Sequence, residues 1–134
     1  MDEQYIGRGE KLCMKILTNP WGISGVRPQV NITKLLPPDE CAILDEEILN
    51  HNFDFLAIRK NLQHIVIEVN YKHKEKAARK ARQIFEPLLK KYKYDYMTID
   101  DWDCDSIFKP HSKPTYKDII DMTNQFKKAG IKIG

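Results

Sequence analysis

The sequence predicts an α/β domain with a central mixed β-sheet flanked by helices, in the order αβββαβ followed by one more helix. Three observations lead to it. Residues 26–32, 53–58, 64–70 and 94–99 are short runs that alternate in polarity or are rich in β-branched and aromatic side chains, as strands are. Segments with apolar residues at helical spacing precede the first strand, separate the third from the fourth and follow the fourth. No internal repeat, low-complexity tract or linker divides residues 1–134, so one domain is expected, with a core over about 7–100 and a helical extension over about 101–134.

Each element has its own signal. Residues 8–18 carry Leu12, Cys13, Ile16 and Leu17 on one helical face, and Asn19-Pro20-Trp21-Gly22 stops the run. Residues 26–32 set Val26, Val30 and Ile32 against Arg27, Gln29 and Asn31, with Pro28 tolerated near the start of the strand. Pro37-Pro38 breaks the chain, and Asp39 is expected to cap a short acidic helix that runs to about Leu49. Residues 53–58 and 64–70 read as a hairpin across a turn at 59–63. From Lys74 to Lys91, Ala77, Ala81, Ile84, Phe85, Leu88 and Leu89 share a face while Lys and Arg point outward. Pro87 removes a hydrogen bond from that helix and is expected to kink it or split it in two. Residues 101–114 are the least regular stretch. Thr115-Tyr116-Lys117-Asp118 has the form of a capping box, Ile119, Ile120, Thr123 and Phe126 supply the buried face of the last helix, and Gly130 ends it.

Composition narrows the function classes. With 134 residues, 42% of them hydrophobic, the chain can build a core without disulfides or metal staples. Its apolar runs, such as Ile65-Val66-Ile67, fall far short of the roughly 20 residues that a membrane span needs. The start, Met1-Asp2-Glu3-Gln4, is acidic where a secretory signal is basic, so a cytoplasmic protein with no membrane partner is expected. Cys13, Cys41 and Cys104 show no C-x-x-C spacing and are expected to be reduced thiols. His51, His64, His73 and His111 lack any metal-site spacing and read as surface residues, and Trp21 and Trp102 read as core or rim. Asp100, Asp101, Asp103 and Asp105 lack the glycine and the bidentate glutamate of a calcium loop.

The net charge of +3 hides a sharp segregation. Residues 71–93 hold nine Lys and Arg against Glu75 and Glu86, a local +7. Residues 94–105 carry five Asp and no base, and residues 34–54 hold six acids against Lys34, so each sums to −5. One side of the molecule is therefore suited to a polyanion.

Chemistry concentrates in the hairpin. Glu68 stands in an otherwise apolar strand, and a period of two puts Glu68 and Asn70 on one face. Fourteen residues separate Asp54 from Glu68, enough for a strand, a turn and a return strand that brings the carboxylates together. Two convergent carboxylates suit a hard divalent cation, Mg²⁺ or Mn²⁺ in its place, which polarises a phosphodiester and helps generate hydroxide.

Phe53-Asp54-Phe55 followed by Ile65-Val66-Ile67-Glu68-Val69-Asn70 resembles the core of the restriction-endonuclease-like nuclease superfamily, whose pattern is Pro-Asp, a spacer, then Asp/Glu-x-Lys. Gly7-Arg8-Gly9-Glu10 is similar to the Gly/Ser-x-x-Glu segment of the branch related to very-short-patch-repair endonucleases, and Arg27-Pro28-Gln29 resembles the Arg-Gln element that opens its first strand. The resemblance implies a restriction-endonuclease-like core. It further implies Glu10, Asp54 and Glu68 as ligands of Mg²⁺, with Asp54 the central one. Asn70 departs from the pattern by standing at the lysine position, where an ammonium would stabilise developing negative charge. Lys72, two residues on, supplies that charge if the strand continues. The implied catalytic set is then Asp54, Glu68, Asn70 and Lys72, with Lys72, His73, Lys74, Lys76, Arg79 and Lys80 along the phosphate backbone.

The expected function is that of a Mg²⁺-dependent DNA endonuclease hydrolysing phosphodiester bonds, with a homodimer or a larger protein assembly left open. Two other readings stay open at this point: a DNA-binding or assembly subunit that keeps the nuclease fold without the activity, and a small α/β protein-interaction module.

Overall fold

Alternating apolar and polar residues generate four strands, and the layers on both sides of them follow from which residues alternate inward. The computed structural model describes residues 8–18, 23, 25–60, 62–109 and 113–131. Gly7, the Asn19-Pro20-Trp21-Gly22 stop and His111 lie outside the described residues. The strands are β1 (Gly25–Asn31), β2 (Asn52–Ile58), β3 (Ile65–Asn70) and β4 (Asp95–Asp100), and they lie side by side in that order. β1 with β2 and β2 with β3 are antiparallel, whereas β3 and β4 are parallel, because α4 (Glu75–Lys91) carries the chain back between them. The sheet is mixed and the domain is α/β.

Each face of the sheet buries its own core. On one face Phe55, Ile67, Val69 and Met97 meet Leu12, Cys13 and Ile16 of α1 (Arg8–Thr18) and Met122 and Phe126 of α5 (Tyr116–Lys128). On the other, Phe53, Val66 and Tyr96 meet Phe85 and Leu89 of α4, together with Ile32, Leu35 and Leu36. β3 is buried along most of its length, which is why it reads as a nearly continuous apolar run. The hairpin turn is tied by Arg59. Its Nη2 lies 2.7 Å from Asp95 Oδ2, its Nε donates to the Gln63 carbonyl, and its backbone N–H points at His64 Nδ1.

Four expectations are corrected. Between β1 and β2 the acidic segment forms two single-turn helices, α2 (Pro38–Cys41) and α3 (Glu46–Leu49), rather than one. Pro37 stands at the first cap, so Asp39 lies inside the turn and does not cap it. α4 is a single 17-residue helix that continues through Pro87. Gln83, whose carbonyl loses its partner there, is exposed, and the buried Phe85 and Leu89 hold the helix against the sheet on either side of the proline. In α5 Ile120 is 41% exposed and Met122 is buried in its place, since the inward stripe is Ile119, Met122 and Phe126. The capping box forms as expected, with Thr115 Oγ1 accepting from the Asp118 N–H at 3.2 Å and Asp118 Oδ2 accepting from the Thr115 N–H at 2.8 Å. Gly130 closes the helix at a φ of 73°. Among the described residues no helix is long and apolar enough to cross a membrane.

Candidate functional site

β2 and β3 pair through Phe55–Ile67, Leu56–Val66 and Ala57–Ile65, and the ladder stops there. The next pair along the same register would be Asp54 with Glu68. Instead, Asp54 Oδ2 accepts the Val69 N–H at 2.8 Å, so a side-chain oxygen takes over where a backbone carbonyl would continue the ladder. On its other side Asp54 faces Gln29 of β1, which is skipped in the β1–β2 ladder and sits at a φ of 52°. Both neighbouring ladders are thus interrupted at Asp54.

At that gap Asp54 feels the charges of two further carboxylates from two other elements. Asp54 comes from β2, Glu68 from β3 and Glu10 from the first turn of α1, the last two each 7% exposed. Burial pushes the Asp54 carboxyl up from its ordinary 3.8 to about 7. The negative charges of Glu10 and Glu68 push the same way, against the Val69 N–H and the charge of His51. Buried Cys13, one turn along α1 from Glu10, is raised well above the usual thiol range by burial and by the charges of Asp54, Cys104 and Glu10. Its role is packing.

His51 is the residue that the sequence did not mark. It immediately precedes β2, and its Nε2 lies 3.2 Å from both carboxylate oxygens of Glu68. Its ring is stacked on Phe85 at 4.3 Å and meets the edge of Phe53 at 4.7 Å. It is no free surface histidine but a half-buried partner of the site. Its partner lies 17 residues away and its platform is on α4, so neither spacing nor local composition marks it.

Asn70 and Lys72 are placed differently from Glu68. The Asn70 side chain lies on the Glu68 face of β3, and its Nδ2 donates to Asp100 Oδ1 at 2.9 Å. β3 ends at Asn70, so Lys72 does not extend the strand. It opens a 3₁₀ turn over Lys72–Lys74, where its backbone N–H donates to Asp101 Oδ2, its ammonium pairs with Glu75, and it lies 5.8 Å from the Trp102 ring centre. Arg79 also pairs with Glu75 and lies 5.4 Å from Trp102. Lys72, His73, Lys74, Lys76, Arg79 and Lys80 are all exposed and run on from the end of β3 along the start of α4.

The carboxylates offer the hard oxygen donors that Mg²⁺ takes, and the upward push on Asp54 by two like charges is the strain that a cation there would relieve. Among the described residues no group of three or more His, Cys, Asp or Glu is already arranged around one point as a metal centre. Both Glu68 oxygens face His51 and one Asp54 oxygen holds the Val69 N–H, so Glu10 and Glu68 each reach Asp54 through their charge and form no cage around it. No family model, curated protein or solved structure matches the chain.

Proposed function

We propose that the chain is a divalent-metal-dependent nuclease of restriction-endonuclease-like fold that hydrolyses phosphodiester bonds in DNA. The observation that carries this reading is Asp54, largely buried where β2 and β3 part, with the charges of Glu10 from a helix and Glu68 from the neighbouring strand acting on it. Two further features support it. The element order, with a helix before three antiparallel strands and a helical crossover to a parallel fourth, suits that core. The exposed basic ridge from Lys72 to Lys80 starts two residues beyond the end of β3, so a bound backbone would lie beside the carboxylates.

In this reading Asp54 and Glu68 hold Mg²⁺, or Mn²⁺ in its place, and Glu10 assists. The bound cation would polarise the phosphodiester and lower the pKa of a water. Asp54 must then be ionised, and His51 must yield one oxygen of Glu68. Lys74, Lys76 and Lys80 hold the strand through its phosphates. Titrating Mg²⁺ and Mn²⁺ while following cleavage of plasmid and branched DNA tests the proposal, with Asp54→Ala and Glu68→Ala as controls. Cleavage that depends on the metal and on both residues is the expected result.

A second reading, a DNA-binding subunit without activity, is favoured by one observation. The position of the usual lysine holds Asn70, whose amide is spent on Asp100, and the nearest ammonium, Lys72, is paired with Glu75. Tight, salt-sensitive DNA binding with no cleavage in either metal would establish that reading. Absence of DNA binding even at low salt would remove both and leave a protein-interaction module.

A further inference from the structure

Beyond the end of β3 a cleft of about 430 Å³ opens between β4 and α4, within the size range of small-molecule pockets. Its lining includes Asn70, Thr98 and Asp100 from the strand ends, Arg79 and Arg82 from successive turns of α4, and Trp102 from the turn after β4. Asp100 is 6% exposed and Thr98 7% exposed, which is unusual for polar groups unless they are bonded. Both are. Asp100 Oδ1 accepts from Asn70 Nδ2 at 2.9 Å, and Asp100 Oδ2 accepts from Thr98 Oγ1 at 3.1 Å. Burial pushes the Asp100 carboxyl up from its ordinary value, against these two hydrogen bonds, which favour the ionised form with a lone pair left on each oxygen. Asn70 Oδ1 takes no donor among the described residues. The Asp100 carboxylate thus lines the cleft as an acceptor, held by one of the two Asn70 N–H groups and by the Thr98 hydroxyl, while Arg82 and Gln83 line it from α4.

We propose that this cleft binds an unpaired guanine base, which would sit beside the carboxylate gap when a nucleic-acid strand lies along the basic ridge. For its substrate class the inference rests on the nuclease reading. Three features select the ligand. The Arg79 guanidinium lies over Trp102, and layered planar groups of this kind are where bases stack. Arg79, paired with Glu75, and Arg82, paired with Glu86 of the same lining, would turn their charge to the phosphate of the same nucleotide. The two oxygens of the Asp100 carboxylate match the one base that shows two adjacent donors on its pairing edge, the N1–H and N2 amine of guanine. Adenine and cytosine set a bare ring nitrogen beside their amine, and uracil or thymine flanks its single N–H with carbonyls, so each turns an acceptor toward the Asp100 carboxylate. Glu68 and Asn70 share a strand face two residues apart, roughly 7 Å, which is about the reach from a scissile phosphate to the neighbouring base.

Calorimetric titration of the full chain with GMP, AMP, CMP and UMP, without divalent metal, tests this directly. GMP should bind at least about tenfold tighter than the other three. Asp100→Asn should abolish that preference. Arg79→Ala, at an exposed position where folding is not at stake, should weaken all four nucleotides while keeping their order. Equal binding of the four, no binding at ~1 mM, or a GMP preference that survives Asp100→Asn would overturn the proposal. Because the titration reads no hydrolysis, the two readings fail separately. DNA cleavage without nucleotide preference overturns only the guanine pocket, and a guanine preference without cleavage supports the pocket while overturning the nuclease.

Discussion

Asp54 carries the clearest consequence at the scale of single residues. Its carboxyl is pushed from 3.8 to about 7 by burial and then by Glu10 and Glu68, so the native state binds a proton that the unfolded chain releases near pH 4. Stability should therefore fall as pH rises from about 4 to about 7 and level off above that, the ionised form having become a cost of at most about 4 kcal/mol. Asp54→Asn keeps an oxygen for the Val69 N–H and removes the charge. The variant should be more stable than the parent at pH 8 and no more stable at pH 4, read from urea unfolding at both values. A steep pH dependence retained in the variant would show that another group is responsible. Divalent metal should act on the parent in the opposite sense. If Asp54 holds Mg²⁺ as proposed, the metal competes with the proton, so it should raise the melting temperature more at pH 8 than at pH 5 and do little for Asp54→Asn.

At the scale of elements, two helices make opposite predictions. Thr115 and Asp118 satisfy each other's backbone N–H groups at the start of α5, with Asp118 fully buried, so Thr115→Ala should cost about 1 kcal/mol in urea denaturation. Pro87 sits in the middle of α4 on its exposed side, and Pro87→Ala restores a donor to the Gln83 carbonyl, so it should stabilise by about 1–3 kcal/mol. The same two helices show what a sequence can and cannot disclose. The capping box, the four strands and the part of the α4 face at Ala81, Phe85, Leu88 and Leu89 rest on contacts within a few residues and are legible, whereas Ala77 and Ile84, expected on that inward face, are exposed because they lie at its margin. Glu68 was legible as well, because a carboxylate in the run Ile65–Val69 demands a partner. His51 was not, since its claim on Glu68 depends on Phe85 folding over it from α4. Lys72 reads as a continuation of β3, but Asp101, in the turn that follows β4, accepts its backbone N–H and turns the chain. The cleft at Asn70, Asp100 and Trp102 is assembled by β3–β4 pairing and by α4, so no local pattern announces it.

For the whole molecule, the segregated charge sets how it would meet DNA. The +7 segment is not uniform once folded. Lys72 and Arg79 are partly neutralised by Glu75, and at the other end of α4 Lys91 pairs with Glu40, whose carboxyl is held below its usual range by Tyr92 and Lys91. Lys74, Lys76 and Lys80 are exposed and lie at the end of α4 nearest the carboxylate gap. If the backbone is held there, each lysine releases about one counterion, and the slope of log K against log salt carries about −0.9 per contact. Replacing Lys74, Lys76 and Lys80 together by Gln should flatten that slope by about 2.7 and weaken binding at low salt. The matched change at Lys90, Lys91 and Lys93, equal in net charge, should leave the slope nearly unaltered, because those lysines stand at the far end of the helix. Filter-binding or anisotropy titrations across a range of salt distinguish the two variants. If both flattened the slope equally, net charge and not a located surface would be what DNA senses, and the carboxylates would have no reason to lie beside the strand.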